Sequence, residues 1–154
     1  MPIEFLDLLD DGGWEPLALD ATDPGSTWSE GGLLRDAPVD PAATFDGARR
    51  ATGIDPSFGL TGLRLPQRFT VPRQHHNLAL LLLVVDGSVT VGTDDGADEL
   101  RSGRYCVVEA GTSYRLAAGA HGVTYLSSWP QEGPGLETCW YPDPAWARAE
   151  AATR

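Results

Sequence analysis

The sequence predicts an all-β domain, an antiparallel sandwich or barrel, and three observations carry that expectation. From Phe58 onward the chain falls into short β-prone runs: Leu60 to Phe69, Asn77 to Val91, Glu99 to Leu100, Tyr105 to Val108, Ser113 to Leu116 and Val123 to Trp129. Turn formers separate them, among them Pro66, Pro72, Asp86-Gly87, Asp94-Asp95-Gly96, Ser102-Gly103, Ala110-Gly111 and Ala118-Gly119. Short strands recurring about every ten residues, with glycine at the breaks, mark antiparallel architecture. The third observation is size: 154 residues, 42% hydrophobic and 21% charged, make one domain able to build a core without disulfide or metal staples.

Residues 1–58 read as an N-terminal arm that packs on the barrel or on a partner subunit. Within it, Glu4 to Leu9 suits a short helical turn ended by Gly12-Gly13, and Trp14 to Leu19 a strand. Asp23-Pro24-Gly25-Ser26 is a turn signal, Gly31-Gly32 and the Ala37 to Pro41 stretch are irregular, and Pro41 to Thr52 reads equally as a short helix or as loop. The barrel itself takes residues 59–141, closing with a last strand or extended arm over Leu136 to Tyr141. Residues 142–154, Ala-rich and charged, form a short helix or tail.

Composition removes several functions. A net charge of -11 leaves no basic stripe for a phosphate backbone, so nucleic acid is not expected as a partner. All 11 cationic residues are Arg, and without Lys there is no Schiff base, P-loop lysine or covalent pyridoxal phosphate. The longest apolar run, Leu78 to Val85, is 8 residues, far short of the roughly 18 a membrane helix needs. The opening residues carry acids where a secretory signal carries a basic region. Cys106 and Cys139 match no disulfide, zinc or redox spacing, and a reducing cytoplasmic setting follows.

The run from Leu78 to Val85 does not alternate, so the strand it forms must be covered on both faces. The inner face fills a barrel lumen. The outer face requires the arm, a second sheet or a second copy of the chain, and a homodimer is the expected answer.

Two segments carry a family pattern. The first reads Gln74-His75-His76-Asn77-Leu78-Ala79-Leu80 and closes at Gly87; the second runs from Gly103 through Glu109 and Gly111 to Tyr114. Their spacing resembles the two motifs of the cupin superfamily over about half of the chain. The resemblance implies a cupin-type jelly-roll β-barrel, or double-stranded β-helix. It also implies a lumen in which two His and a Glu of the first motif, with the His of the second, hold a divalent metal. Carried over position by position, those four ligands fall on Gln74, His76, Leu80 and Tyr114. Leu80 cannot bind a cation, Gln74 is a weak neutral donor, and Tyr114 would have to lose a proton from a group of pKa about 10. His75 adjoins His76 and faces the other way in a strand. No cofactor is therefore expected, and any divalent transition metal would sit loosely on His76, Gln74 and Tyr114.

If Gln74 and His76 face inward, Leu80 and Leu82 follow on the same face, with Tyr114 opposite. That gives an apolar pocket with a few convergent polar groups, the form of a small-molecule site. Tyr125 and Trp129 would join it if their face of the last barrel strand points inward. Arg64 would anchor a carboxylate if it faced the lumen and would be an ordinary surface charge if it did not. His121, in Gly119-Ala120-His121-Gly122, reads as a solvent-facing turn residue.

Three functions compete on this pattern. The first is an enzyme without the usual metal, with His76 as general acid or base and Tyr114 as proton donor or oxyanion partner. It would be a cyclase, isomerase, dehydratase or lyase acting on a carbonyl-bearing apolar or aromatic compound. The resemblance adds a setting, since some cupins of bacterial polyketide metabolism are cyclases. The second is a metal-dependent dioxygenase with a reduced ligand set. The third is a non-catalytic pocket that binds or senses a small ligand.

Overall fold

The computed structural model describes residues 6–17, 46–55, 57–131 and 135–141, and the side chains of 139–141 are outside the description. It is almost entirely β. Among the described residues nine strands follow one another: β1 Trp14–Pro16, β2 Arg49–Ala51, β3 Leu60–Leu65, β4 Thr70–His76, β5 Leu80–Thr93, β6 Gly96–Arg101, β7 Tyr105–Val108, β8 Tyr114–Ser128 and β9 Thr138–Tyr141. They form one antiparallel sheet in the order β1-β2-β3-β8-β4-β9, with β5 also pairing β6, β7 and β8. Among the described residues no helix is long and apolar enough to cross a membrane.

The two long strands organise the barrel. The first part of β8 lies between β4 and the end of β5, with Val71 opposite Leu116 and Val91 opposite Leu116. Its second part lies between β3 and the start of β5, with Leu63 and Val84 both opposite Tyr125. Between the parts both strands bend. Gly87 and Gly122 adopt φ of 75° and 77°, a region open to glycine at no steric cost. A Cβ on Gly87 would collide with the Gly122 carbonyl. Asp86-Gly87 and Ala118-Gly119, expected as strand breaks, are therefore irregularities inside continuous strands: the register slips from Gly87↔Val123 to Val89↔Ala118. His121 sits in that irregular stretch of β8, exposed as expected.

Burial alternates along β5. Leu80, Leu82 and Val84 are buried, while Leu81, Leu83 and Val85 are half-covered. The inward set joins Leu65, Val89, Leu116 and Tyr114 in the core, each contributing roughly 1.5–3 kcal/mol of transfer free energy. Outside, Leu81 and Leu83 stand opposite Val107 and Tyr105 of β7, which are 56% and 63% exposed.

Elsewhere the strands shift by a few residues. The run from Asn77 breaks at 77–79, so β5 starts at Leu80 and continues to Thr93. The reading of 41–52 as helix fails where it can be checked: Arg49–Ala51 is a strand pairing with β1 and β3, and residues 41–45 lie outside the description. Part of the arm is thus an extension of the barrel sheet. The helical turn expected before Gly12 is displaced onto Asp11–Gly13, a 3-10 turn capped by Asp10, whose side chain accepts from the Gly12 amide. The tail at 142–154 is outside the described residues.

Candidate functional site

The inner face of β4 meets the start of β8 at one hydrogen-bonded trio. His76 Nε2 lies 2.6 Å from the Tyr114 hydroxyl, and His76 Nδ1 lies 2.9 Å from Thr138 Oγ1. All three residues are buried, Tyr114 to 1% exposure. Backbone placement explains the meeting. Gln74 and His76 share a face of β4 by period two, Gln74 is opposite Tyr114, and His76 is opposite Thr138. The β4 end is tied to the next loop by the Gly111 amide donating to the His76 carbonyl at 2.8 Å. Asn77 then fixes β9: its amide donates to the Gly135 carbonyl at 2.9 Å and its side-chain oxygen accepts from the Glu137 amide at 2.7 Å.

Electrostatics keeps the trio neutral. Burial, with a smaller contribution from His75, lowers the His76 pKa to about 4, because a charged imidazolium is poorly solvated there. Burial raises the Tyr114 phenol well above its usual 10, with smaller contributions from Tyr125 and Cys106. His76 is thus a neutral hydrogen-bonding group near pH 7, with its pKa below the range expected of an unperturbed imidazole. Tyr114 holds its proton and can donate it.

Around the trio the lumen is mostly hydrocarbon: Leu80, Leu82, Val84 and Leu116 are buried against it. Tyr125 and Ser127 face inward opposite Val84 and Leu82, and Trp129 packs on the core beyond them. Gln74, Ser127 and Tyr125 are 5%, 5% and 4% exposed. Cys106, opposite Leu82 on β7, also faces in, with its thiol pKa raised by burial and by Asp98. A cleft of about 630 Å³ opens beside it, lined by Val91, Asp98, Leu100, Cys106, Val108 and Glu109 among others. Its size suits a small organic ligand. The cleft touches the site through Cys106; His76 and Tyr114 lie behind its wall.

No protein-family model matches this sequence, and no curated protein does. Solved structures do. A cupin-superfamily sugar phosphate isomerase from Silicibacter pomeroyi superposes with a TM-score of 0.55 at 18% identity, covering 66% of this chain and 69% of its own. The polyketide cyclase RemF from Streptomyces resistomycificus gives 0.54 at 17% identity, covering 68% and 79%. KdgF from Halomonas sp. gives 0.50 at 16%, covering 56% and 82%. The chain has the cupin fold. At these identities the likeness speaks for architecture alone, and function must come from the residues in the barrel.

A cupin barrel implies a divalent metal, and the residues here do not fit one. Both ring nitrogens of His76 are engaged, by Tyr114 and Thr138. Leu80 is a hydrocarbon where a carboxylate would be needed, and Gln74 is a neutral amide. Among the described residues no cluster of three His, Cys, Asp or Glu side chains exists. His75 alternates outward from His76 along β4, so it does not complete a set.

Arg64 is not in the lumen. It stands opposite Thr124 on the outer side of β3, where its guanidinium donates to Asp11 at 2.6 Å and to the Leu8 carbonyl at 3.0 Å. The group also stacks 4.4 Å from the Trp14 ring centroid. It holds the N-terminal segment to the barrel and lines a separate outer cavity of about 370 Å³ with Asp86 and His121. Of the residues the sequence nominated, the structure brings Gln74, His76, Leu80, Leu82, Tyr114 and Tyr125 together, with Trp129 at their margin. It adds Thr138 and Cys106. The face of β8 that carries Tyr125, Ser127 and Trp129 turns inward at Tyr125 and Ser127, and Cys106 follows from its pairing opposite Leu82. Nothing in the sequence marked Thr138.

Proposed function

We propose that this cupin is an enzyme acting by proton transfer, without a resident metal, on a carbonyl-bearing apolar or aromatic small molecule. The reaction class is that of a cyclase, isomerase, dehydratase or lyase. The single observation behind the reading is the buried Tyr114 phenol bonded at 2.6 Å to an imidazole that burial keeps neutral. A phenol of raised pKa in an apolar lumen donates a hydrogen bond to an oxygen that gains charge as an enolate forms, where such a donor is worth most. His76 positions it. With Thr138 donating to Nδ1, the proton of the ring sits on Nε2 and is given to the Tyr114 oxygen, leaving the Tyr114 hydrogen for the ligand. The other tautomer would consume that hydrogen.

A sugar phosphate isomerase and a polyketide cyclase share the fold, and the apolar walls here favour the second kind of substrate. We place the protein in polyketide-like secondary metabolism in the cytoplasm, and as a homodimer through the uncharged outer face of Leu81, Leu83, Tyr105 and Val107. A chain of net charge -11 can meet its copy only where charge is absent, and Val107→Asp should yield monomers by analytical ultracentrifugation.

The test is α-proton exchange of 2-tetralone, an aryl-fused ketone, in D₂O, followed by NMR. Wild-type protein should accelerate it, and Tyr114→Phe should reduce the acceleration by roughly 10²-fold or more, the usual effect of losing one oxyanion donor. Exchange unchanged in both Tyr114→Phe and His76→Ala would refute the reading. Binding of the ketone without any exchange would favour a ligand-binding protein.

A further inference from the structure

We infer that Asn77 is a positioning residue: it fixes β9 against β4 so that the Thr138 hydroxyl sits on His76 Nδ1, and thereby decides which hydrogen of the trio faces the lumen. This rests on the function proposed above and adds the device that sets its proton donor. β9 is only 4 residues long and lies at the end of the strand order, beside β4. Register is least secured in a strand of that kind. It matters here, because opposed residues of an antiparallel pair bring their Cβ atoms to roughly 5 Å, and Thr138 is opposed to His76. A slip of one residue would turn Thr138 to the other face. Asn77, next in the chain after His76, grips the residues just before Thr138. Its side-chain amide donates to the Gly135 carbonyl at 2.9 Å, its side-chain oxygen accepts from the Glu137 amide at 2.7 Å, and its backbone amide donates to the Glu137 carbonyl at 3.2 Å. The clamp is exposed, yet it ends one residue from a buried hydroxyl.

The hydrogens of the trio are one too many for its contacts. The neutral imidazole carries a single N–H, and Tyr114 and Thr138 carry one O–H each. Those hydrogens serve two contacts, Tyr114 with Nε2 and Thr138 with Nδ1, so one hydroxyl always directs its hydrogen away from the ring. When Thr138 donates to Nδ1, the ring proton is on Nε2 and the surplus hydrogen belongs to Tyr114. When Thr138 is drawn off, Nδ1 loses its donor. The remaining pair then takes its stronger form, an acidic phenol hydrogen given to a basic imidazole nitrogen, and the ring proton moves to Nδ1. Only the first arrangement leaves the phenol free to meet an oxygen that gains charge. The bond at the far nitrogen of the ring thus sets the chemistry at the near one. β9 supplies that bond, and Asn77 acts on it from the surface.

The experiment reads the His76 ring nitrogens by ¹⁵N NMR at pH 7 in wild type, Asn77→Ala, Thr138→Val and the double variant, with 2-tetralone exchange and Tm measured alongside. Wild type should show the proton on Nε2. Thr138→Val should shift the ring toward Nδ1–H and slow exchange about tenfold, the effect of one lost hydrogen bond, and Thr138→Ser should restore both. Asn77→Ala should move the nitrogens the same way and slow exchange about threefold, a fraction of that bond. Added to Thr138→Val it should change neither readout further, because the two substitutions act on one contact. Asn77→Asp keeps the acceptor for the Glu137 amide and sets an oxygen against the Gly135 carbonyl; it should shift the ring in the same direction and serves if Asn77→Ala does not fold. The inference is overturned if the Asn77 variants leave the proton on Nε2, whatever they do to the Tm. It is overturned equally if Thr138→Val leaves it there, or if Asn77→Ala slows exchange as much in the Thr138→Val background as in wild type. Absence of exchange in wild type would refute the enzyme reading alone, and the ring nitrogens would still decide the clamp.

Discussion

The outer clamp of Arg64 and the inner trio of His76 make an instructive pair. Both bring a basic side chain to a hydroxyl, carboxylate or carbonyl at close range. At Arg64 the protein itself supplies each partner: Asp11, the Leu8 carbonyl and the Trp14 face. At the lumen His76 holds two buried hydroxyls, those of Tyr114 and Thr138, among mostly apolar side chains. Partners near the surface fasten a segment to the barrel at little energy each. A neutral, buried trio instead sets a phenol in a low-dielectric lumen, where a hydrogen-bond donor is worth most. The surroundings of the polar group, more than its charge, separate the two.

Substitutions can break this contrast, and the largest effect should fall inside. Tyr114→Phe should reduce 2-tetralone exchange by roughly 10²- to 10³-fold in a protein that still folds, at a cost of about 1–3 kcal/mol for the His76 Nε2 group left without its partner. A loss of folding instead would make Tyr114 a structural residue like Arg64. Next comes acid stability. His76 has a folded pKa of about 4 against about 6.5 when unfolded. Between those values the unfolded chain binds a proton that the folded chain refuses, so stability is full above pH 6.5 and declines as the pH falls toward 4, by roughly 3 kcal/mol in all. Urea unfolding across that window should show the slope in wild type and lose most of it in His76→Gln. An equal slope in both would mean the imidazole is not desolvated.

The smaller effect belongs to the outer face. Asp11 is largely exposed, so its ion pair adds little. Together with the carbonyl bond and the Trp14 contact, Arg64→Ala should cost about 1 kcal/mol of stability with 2-tetralone exchange unchanged. Slowed exchange would move Arg64 into the site and end the contrast.

Much of this was legible in the chain. Period two placed Gln74, His76, Leu80 and Leu82 on one face because strand geometry leaves no freedom there. The motif spacing that resembles cupins put Tyr114 opposite them, and the structure agrees. What escaped the sequence depends on pairing across distance. Gly87 and Gly119 look like turn residues locally, yet the approach of β5 to β8 makes them parts of bent, continuous strands. Thr138 is on a strand that pairs with β4 across more than 60 residues of chain, and no local pattern announces it. The lowered pKa of His76 is out of reach of the sequence for the same reason: desolvation is set by what packs around a ring, and neighbours along the chain do not report it.

The most direct test is the ¹⁵N NMR spectrum of the His76 imidazole between pH 5 and 8, in the absence and presence of added Fe(II) or Mn(II). The account predicts a neutral ring throughout, protonated on Nε2 with Nδ1 as the acceptor from Thr138, and no change on adding either metal at stoichiometric concentration. An imidazolium at pH 7, a proton on Nδ1, or resonances displaced by stoichiometric metal would contradict it.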